Sequence, residues 1–111
     1  MSSQIEKWFW LVGGGPMQIP ILKKLRADGY KIILTDGNPD CPGKSFADLF
    51  YATDIHDVEK QLALIPQIPI QTKAKLRGVT CIATDAHQTV ARLATELGLP
   101  GISSELSKLI G

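Results

Sequence analysis

Trp8-Phe9-Trp10-Leu11-Val12-Gly13-Gly14-Gly15-Pro16-Met17-Gln18 is the stretch that decides the fold class of this chain. Its five consecutive apolar residues fit a strand that is covered on both faces, as strands in parallel sheets are. We place this first strand at residues 7–12. The glycines that follow allow a tight turn from the strand into a helix.

An amphipathic helix is predicted after the glycine turn. Met17, Ile21 and Leu25 recur with the spacing i, i+4, i+8, and Leu22 lies beside them. Pro20 is tolerated only in the first turn of a helix, where its missing N–H has no intrahelical partner, so the helix should begin near Met17. Gly29 closes it, and an apolar strand at residues 31–35 then leads to Asp36.

The order strand, glycine turn, helix, strand, acidic residue is the opening unit of a Rossmann-like fold. Gly13 and Gly15 fit the G-x-G-x-x-G pattern of dinucleotide-binding turns, but Gln18 stands where the third glycine is expected. The turn could therefore bind an anionic ligand, or it could only permit a sharp change of chain direction. Asp36 likewise has two interpretations: it accepts hydrogen bonds from a ribose hydroxyl or another polar ligand, or it caps the turn at residues 37–39.

Turn-forming residues dominate from Asp36 to Gly43, so this segment is predicted to be a loop. A third strand is predicted at residues 49–52. Asp54 or Asp57 can cap the next helix, whose apolar positions are Val58, Leu62 and Ile65 and which Pro66 and Pro69 end. The secondary structure of residues 67–78 is not indicated by a clear pattern, and the segment has room for a short helical turn.

A fourth strand is predicted at residues 79–83, before the helix with the clearest end signals. Asp85 is expected to cap that helix, with Gln88 three residues later as in a capping box. Gly98 is expected to end it. Its buried stripe should consist of Ala86, Val90, Leu93, Ala94 and Leu97. A further short helix is expected at residues 103–109.

Alternation of strands and helices predicts an α/β fold. We expect residues 1–111 to form one small three-layer Rossmann-like domain, with a parallel sheet of about four strands in the order 3-2-1-4. Ligands of open α/β sheets bind outside the carboxyl ends of the strands where the strand order reverses, here between the first and fourth strands. The candidate ligand-binding residues at that edge are Gly13, Gly14, Gly15, Gln18, Asp36, Thr84, Asp85 and His87.

Composition excludes several function classes. The formal net charge of the 111 residues is +1, which gives no broad field for attracting nucleic acid or an anionic membrane. No apolar run approaches the roughly 20 residues of a membrane span, and the first residues do not resemble a secretory signal, so a cytoplasmic location is expected.

Cys41 and Cys81 are expected to be reduced thiols, and neither a catalytic constellation nor a metal site is predicted. Trp8 and Trp10 should pack in the core or against a partner.

Three segments together resemble the N-terminal domain of ATP-grasp ligases, such as biotin carboxylase, the large subunit of carbamoyl-phosphate synthetase and the ATP-dependent purine-biosynthetic carboxylases. These segments are Gly13–Gln18, Thr35–Gly43 with Ala47-Asp48, and Ala91–Gly101. The resemblance implies a preATP-grasp domain in an enzyme that uses ATP and magnesium to activate a carboxylate as an acyl phosphate. The groups that hold ATP and magnesium would lie beyond this chain, so Lys108 is not one of them. Neither cofactor is expected on this chain alone.

On this interpretation the chain is the N-terminal part of a longer enzyme and is not catalytic by itself. Its partners would be a small-molecule substrate and the missing ATP-grasp domains, and a homodimer stays open. Two alternatives remain. One is a free-standing nucleotide- or dinucleotide-binding module, and the other is a structural interaction domain, which should expose apolar surface around Trp8 or Trp10. The sequence does not identify the carboxylate or the nucleophile, nor whether Gly111 is the native end.

Overall fold

A computed structural model describes residues 6–99, which form an α/β fold. Short 3-10 turns lie at Pro16–Gln18, Pro42–Phe46 and Ile65–Gln67. The strands and helices, in chain order, are β1 (Lys7–Val12), α1 (Ile19–Ala27), β2 (Tyr30–Asp36), β3 (Leu49–Ala52), α2 (Val58–Leu62), α3 (Ile70–Ala74), β4 (Leu76–Thr80) and α4 (His87–Leu97). Within the same residues, no helix combines the length and the apolar character that crossing a membrane requires.

The four strands form one sheet in the order β3-β2-β1-β4, and every neighbouring pair is parallel. This confirms the predicted order. Val12 lies opposite Thr35, and Asp36 lies opposite Ala52. The carboxyl ends of the strands therefore meet at one edge of the sheet, and the loops that carry most of the candidate residues begin there.

The two faces of the sheet bury two separate apolar cores, because successive residues of a strand point to opposite faces. Trp8 and Trp10 share one core with Leu93 of α4. Phe9 lies in the other core with Leu25 of α1. Helices therefore cover both faces of the sheet, as predicted for a three-layer domain. Both tryptophans are core residues, only 7% and 0% exposed, and so they do not provide the exposed apolar surface that an interaction domain would show.

The beginning of the first helix differs from the prediction. Met17 is 69% exposed instead of buried. It belongs to the 3-10 turn at Pro16–Gln18, and α1 starts only at Ile19, with Pro20 in its first turn. A 3-10 turn has three residues per turn, so it shifts the buried stripe relative to an α-helix. Gln18, the last residue of the 3-10 turn, is buried in place of Met17.

The fourth strand begins and ends earlier than predicted. β4 covers Leu76–Thr80, whereas the prediction was residues 79–83. Ala83 has a φ of +54°, which belongs to the left-handed region and is incompatible with a strand. The early start is explained by alternation, since Leu76 is buried and Arg77 is exposed at the sheet edge.

The predicted capping box of the last helix is wrong, whereas its C-terminal signal is confirmed. Ala86 is the N-cap of α4 and makes no side-chain cap bond. The Asp85 carboxylate instead binds His56. Gly98 ends the helix in the left-handed conformation, with a φ of +68°. The predicted helix at residues 103–109 lies outside the described residues.

Asp57 caps α2, because its Oδ1 accepts a hydrogen bond from the Lys60 N–H at 3.0 Å. This confirms one of the two predicted caps. The α2 helix is shorter than its apolar pattern suggested, and Gln61 is fully buried on it. The helical turn for which residues 67–78 had room is α3.

Candidate functional site

The glycine turn begins directly at the end of β1 and is fixed by the neighbouring strand. Gly13 has a φ of +100°, a conformation that side chains disfavour. Its N–H donates to the Thr35 carbonyl at 2.7 Å. The N–H of Gly14 then donates to Oδ2 of Asp36 at 2.8 Å. The first two turn amides are thus bound within the chain.

The Asp36 carboxylate is shared between two turns. Oδ2 accepts from Gly14, and Oδ1 accepts from the Asn38 N–H at 2.8 Å. The second bond is the turn cap that was one of the two predicted interpretations. The first bond was not predicted, and it places a negative charge against the glycine turn. An anionic ligand in this turn would compete with that carboxylate for the Gly14 N–H.

Packing explains why two of the glycines are needed. A Cβ at Gly14 would lie 2.6 Å from Leu34 Cδ2, closer than side chains allow. Gly43 donates its N–H to the Gly14 carbonyl at 2.7 Å, and a Cβ there would lie 2.8 Å from the same oxygen. The loop after β2 therefore folds back onto the glycine turn. From the sequence, Gly43 is only a loop residue, because nothing local links it to Gly14.

Gln18 connects the glycine turn to the loop that follows β4. Its side chain is buried, and Nε2 donates to the Ile82 carbonyl at 2.5 Å. In a dinucleotide-binding turn, a glycine at this place lets the helix pack closely on the strand. Here a long amide occupies the place and bridges two of the loops at the switch point.

A cysteine of the loop between β4 and α4 contacts the first residue of α4, a pairing that no sequence motif indicated. Sγ of Cys81 lies 3.6 Å from Nδ1 of His87 and 3.8 Å from the Thr84 carbonyl oxygen. Burial raises the pKa of the Cys81 thiol, so it stays protonated and is not an activated nucleophile. The contact joins His87, the first residue of α4, to the loop but does not form a catalytic pair.

An exposed ion pair joins the loop after β3 to the same β4–α4 loop. Nε2 of His56 lies 2.5 Å from Oδ1 of Asp85. The Asp85 hydrogen bond and charge raise the pKa of His56, and Asp54 adds to that effect. The same hydrogen bond lowers the pKa of Asp85. The two residues are 29 positions apart, so no sequence spacing could have indicated the pair.

Ile55 lies over the end of β1. A Cβ built on Gly13 would be 3.9 Å from Ile55 Cδ1 and 3.6 Å from Thr84 Cγ2. The Ile55 carbonyl accepts a hydrogen bond from Thr89 Oγ1 of α4 at 2.6 Å. The switch-point crevice is thereby filled, and no pocket is found on residues 6–99.

The candidate residues are therefore all near one edge of the sheet but do not converge on one open site. Gly13, Gly14 and Asp36 bind one another or their neighbouring strand, whereas Asp85 and His87 are exposed. Over the described part of the chain, no group of three or more His, Cys, Asp or Glu side chains could hold a metal ion. The Gly13 and Gly14 N–H groups are already bound within the chain, so they are not free for an ATP phosphate. Cys41 and Cys81 are both free and buried.

Comparison with known proteins gives structural neighbours only. The sequence matches no family model and no curated protein. The fold is similar to phosphoribosylglycinamide synthetase from Anaerococcus prevotii, with a TM-score of 0.72, 21% identity, and coverage of 91% of this chain and 25% of that one. The fold is also similar to N5-carboxyaminoimidazole synthetase from Staphylococcus aureus, with a TM-score of 0.60 and 19% identity. That likeness covers 83% of this chain and 24% of the synthetase.

A third neighbour belongs to a different enzyme class. UDP-glucose 4-epimerase from Thermotoga maritima, solved with UDP-glucose, has a TM-score of 0.61 and 16% identity, with coverage of 83% of this chain and 35% of that one. This chain spans about a quarter of the length of the two synthetases. At these identities the likeness establishes a common fold.

Proposed function

We propose that this chain is the substrate-side domain of an ATP-dependent carboxylate ligase of the ATP-grasp class, inactive without the domains that hold the nucleotide. The residue resemblance supports this, and so does the likeness to two synthetases over 91% and 83% of this chain. In both comparisons, this chain covers only about a quarter of the synthetase chain. The remaining three quarters would supply the groups that bind ATP and magnesium.

The hydrogen bond from Gly14 to Asp36 is the observation that carries the proposal. A phosphate-binding turn needs free N–H groups at a helix N-terminus. Here the carboxylate at the end of β2 takes one of them and adds a negative charge. This arrangement disfavours a nucleotide phosphate in the turn, and it agrees with an enzyme that holds ATP elsewhere.

In the proposed enzyme the residues of this chain shape one wall of the substrate site. Gly13, Gly14 and Asp36 would hold the wall rigid, while Gln18 would fix the β4–α4 loop against it. The side chains of Thr84 and His87 would then present hydrogen-bonding groups to a polar substrate. Magnesium, when bound by the other domains, would support phosphoryl transfer from ATP to the substrate carboxylate.

A nucleotide- or dinucleotide-binding module is the second candidate, and the likeness to an epimerase solved with UDP-glucose, a nucleotide sugar, favours its nucleotide-binding form. Against it stand the buried Gln18 at the third glycine position and the Asp36 carboxylate at the turn. In a dinucleotide site that acidic residue would be free to bind the ribose. Here both of its oxygens accept backbone N–H bonds.

The size of the native protein is the first test. An immunoblot of the source cells, with an antibody raised against this domain, should give a band far above the 12.1 kDa of this chain. A single band at that mass would contradict the proposal.

Calorimetric titration of the 111-residue chain with NAD, NADP and ATP, with and without magnesium, separates the alternatives. We expect no saturable dinucleotide binding and no ATP turnover.

Two results, one from binding and one from ATP turnover, would reject the ligase-domain proposal. NAD binding that the substitution Asp36→Ala weakens would favour the dinucleotide module. ATP hydrolysis by the isolated chain that a magnesium chelator abolishes would mean that the chain is catalytic by itself. Asp40→Ala is a suitable control for Asp36→Ala, because Asp40 is an exposed carboxylate in the same loop.

A further inference from the structure

We propose that residues 53–57 form a strap that closes the switch-point crevice and that the contact between His56 and Asp85 holds it shut, so that the strap loosens when His56 loses its proton. The inference is independent of the ligase assignment, because the strap, its contacts and its test involve no ligand. It concerns access to the edge of the sheet, whatever molecule binds there.

Both ends of the strap are fixed. At the first end the Thr53 N–H donates to the Asp36 carbonyl at 2.9 Å and continues the pairing of β2 with β3. At the other end Asp57 caps α2. Gln61 Nε2 also binds the carbonyls of Thr53 and Asp54 at 3.3 and 3.2 Å. Movement of the strap is therefore confined to its middle.

The middle of the strap is held to the other side of the crevice by two side-chain hydrogen bonds. Thr89 Oγ1 of α4 donates to the Ile55 carbonyl, and His56 binds Asp85. The first bond is neutral and does not change with pH. The second depends on a charge that a histidine gains or loses near neutral pH.

Closure of the strap places Ile55 over the end of β1. A Cβ at Gly13 would lie 3.9 Å from Ile55 Cδ1 and 3.6 Å from the methyl group of Thr84 in the β4–α4 loop. This is the place at which open α/β sheets bind their ligands. A ligand could reach the Gly13 backbone there only if Ile55 moved aside, so the strap controls access to the crevice.

The two carboxylates that contact His56 both favour its protonated form. Asp85 faces it from the β4–α4 loop, and Asp54 Oδ1 lies 3.7 Å from Nδ1 on the strap itself. At the end of the strap, the Asp57 carboxylate accepts the Lys60 N–H of α2 and lies 4.0 Å from Lys60 Nζ. His87 of α4 contacts Cys81, and its charge adds to the effect of His56 in lowering the pKa of Asp85. Loss of the His56 proton therefore removes an attraction to two carboxylates.

The direction of the pH effect follows from the raised pKa of His56. Its contribution to closure is complete below the ordinary histidine value of 6.5 and is lost as the pH rises through the higher value in the folded chain. Asp85 stays ionised throughout this range. Since the pair is exposed to solvent, we expect the closed population relative to the open one to change only about two- to fivefold.

Amide hydrogen exchange of the full 111-residue chain, followed by NMR, tests the strap. The protection factor of the His56 amide in the middle of the strap, corrected for the intrinsic base-catalysed rate, should fall about two- to fivefold between about pH 5.5 and about pH 8.5, whereas that of the Thr53 amide at the fixed end should not. The Leu11 amide in the central strand provides the internal reference. His56→Gln and Asp85→Asn should each abolish this fall.

His87→Gln is the matched control, because it removes a histidine from the same edge but leaves the pair intact. It should retain the full pH dependence. The proposal is overturned if the wild-type His56 amide follows Leu11 at every pH, or if the fall persists in His56→Gln. If His56→Gln or Asp85→Asn fails to fold, the wild-type chain alone decides. The pH midpoint of the exchange profile is then compared with the pH midpoint of the His56 NMR titration, and different midpoints reject the proposal.

Discussion

The backbone N–H of Gly14 and Oδ2 of Asp36 are joined by a hydrogen bond of 2.8 Å, which ties the end of β2 to the turn after β1. The two residues are 22 positions apart. Because hydrogen bonds to a charged acceptor are stronger than neutral ones, this contact stabilises the edge of the sheet that carries the candidate site. It also leaves the turn one donor fewer for any ligand.

Asp36→Asn should lower the free energy of unfolding by about 1 to 2 kcal/mol, because the charged acceptor for Gly14 and Asn38 becomes a neutral amide. Urea unfolding at neutral pH measures the change. Asp40→Asn in the same exposed loop should stay within about 0.5 kcal/mol of the wild type. Equal effects of the two substitutions would mean that the bond to Gly14 contributes nothing measurable.

Gly14→Ala should destabilise the chain by about 1 to 3 kcal/mol through overpacking, since the new methyl group would lie 2.6 Å from Leu34 Cδ2. Gly37→Ala is the matched control, because the nearest atom to its new methyl group is Asp54 Cα at the ordinary distance of 3.5 Å. Chemical unfolding of both variants should separate them clearly. If they unfold alike, the turn can relax around a side chain and glycine is not required there.

Parts of the fold that depend on local patterns could be predicted from the sequence. The bounds of β1 follow from a continuous apolar run, and the end of α4 follows from Gly98. The strand order follows from the right-handed crossovers of parallel sheets. Met17 was misplaced because a 3-10 turn precedes the α-helix, and helical periodicity alone does not reveal such a turn.

The contacts that shape the candidate edge could not be predicted, because they join residues far apart in the chain. Asp85 has the right type and position for an N-cap, but it binds His56 instead, 29 residues away. Gly43 packs on Gly14 for a reason that only the three-dimensional fold provides. The sequence thus predicted which residues meet at the edge, but not that they largely bind one another.

Acid titration should reveal the ion pairs of Glu6 at the other edge of the sheet. Glu6 contacts Lys31 at 2.9 Å and Lys75 at 3.5 Å, and its hydrogen bonds to Lys31 and Trp8 lower its pKa to about 2. A lowered pKa gives stability that is complete above the ordinary value of 4.5 and is lost as the pH falls through about 2.

The destabilisation by Glu6→Gln should therefore be largest near neutral pH and shrink steadily as the pH falls. Glutamine keeps an acceptor for the Trp8 N–H, so the variant isolates the charge. Urea midpoints from about pH 6 down to about pH 2.5 follow the change. A constant effect of Glu6→Gln would exclude the charge as its source.

Gln61 gives the prediction in which two opposing effects must be weighed. It is fully buried, its Nε2 binds the carbonyls of Thr53 and Asp54, and its Oε1 has no hydrogen-bond partner among the described residues. Two ordinary hydrogen bonds contribute about 1 kcal/mol each, whereas an unpartnered buried acceptor costs about 1 to 3 kcal/mol. Gln61→Leu loses both effects, so its free energy of unfolding should stay within about 1 kcal/mol of the wild type.

Gln61→Glu removes the donor and places a negative charge beside two carbonyl oxygens. An uncompensated buried charge is strongly destabilising, by about 3 to 5 kcal/mol, and the loss should diminish at acid pH where the carboxyl is protonated. Urea unfolding of both variants at about pH 7 and about pH 4.5 decides the matter. If leucine proves as harmful as glutamate, the amide bonds to the strap dominate, and the unpartnered Oε1 costs little in the native chain.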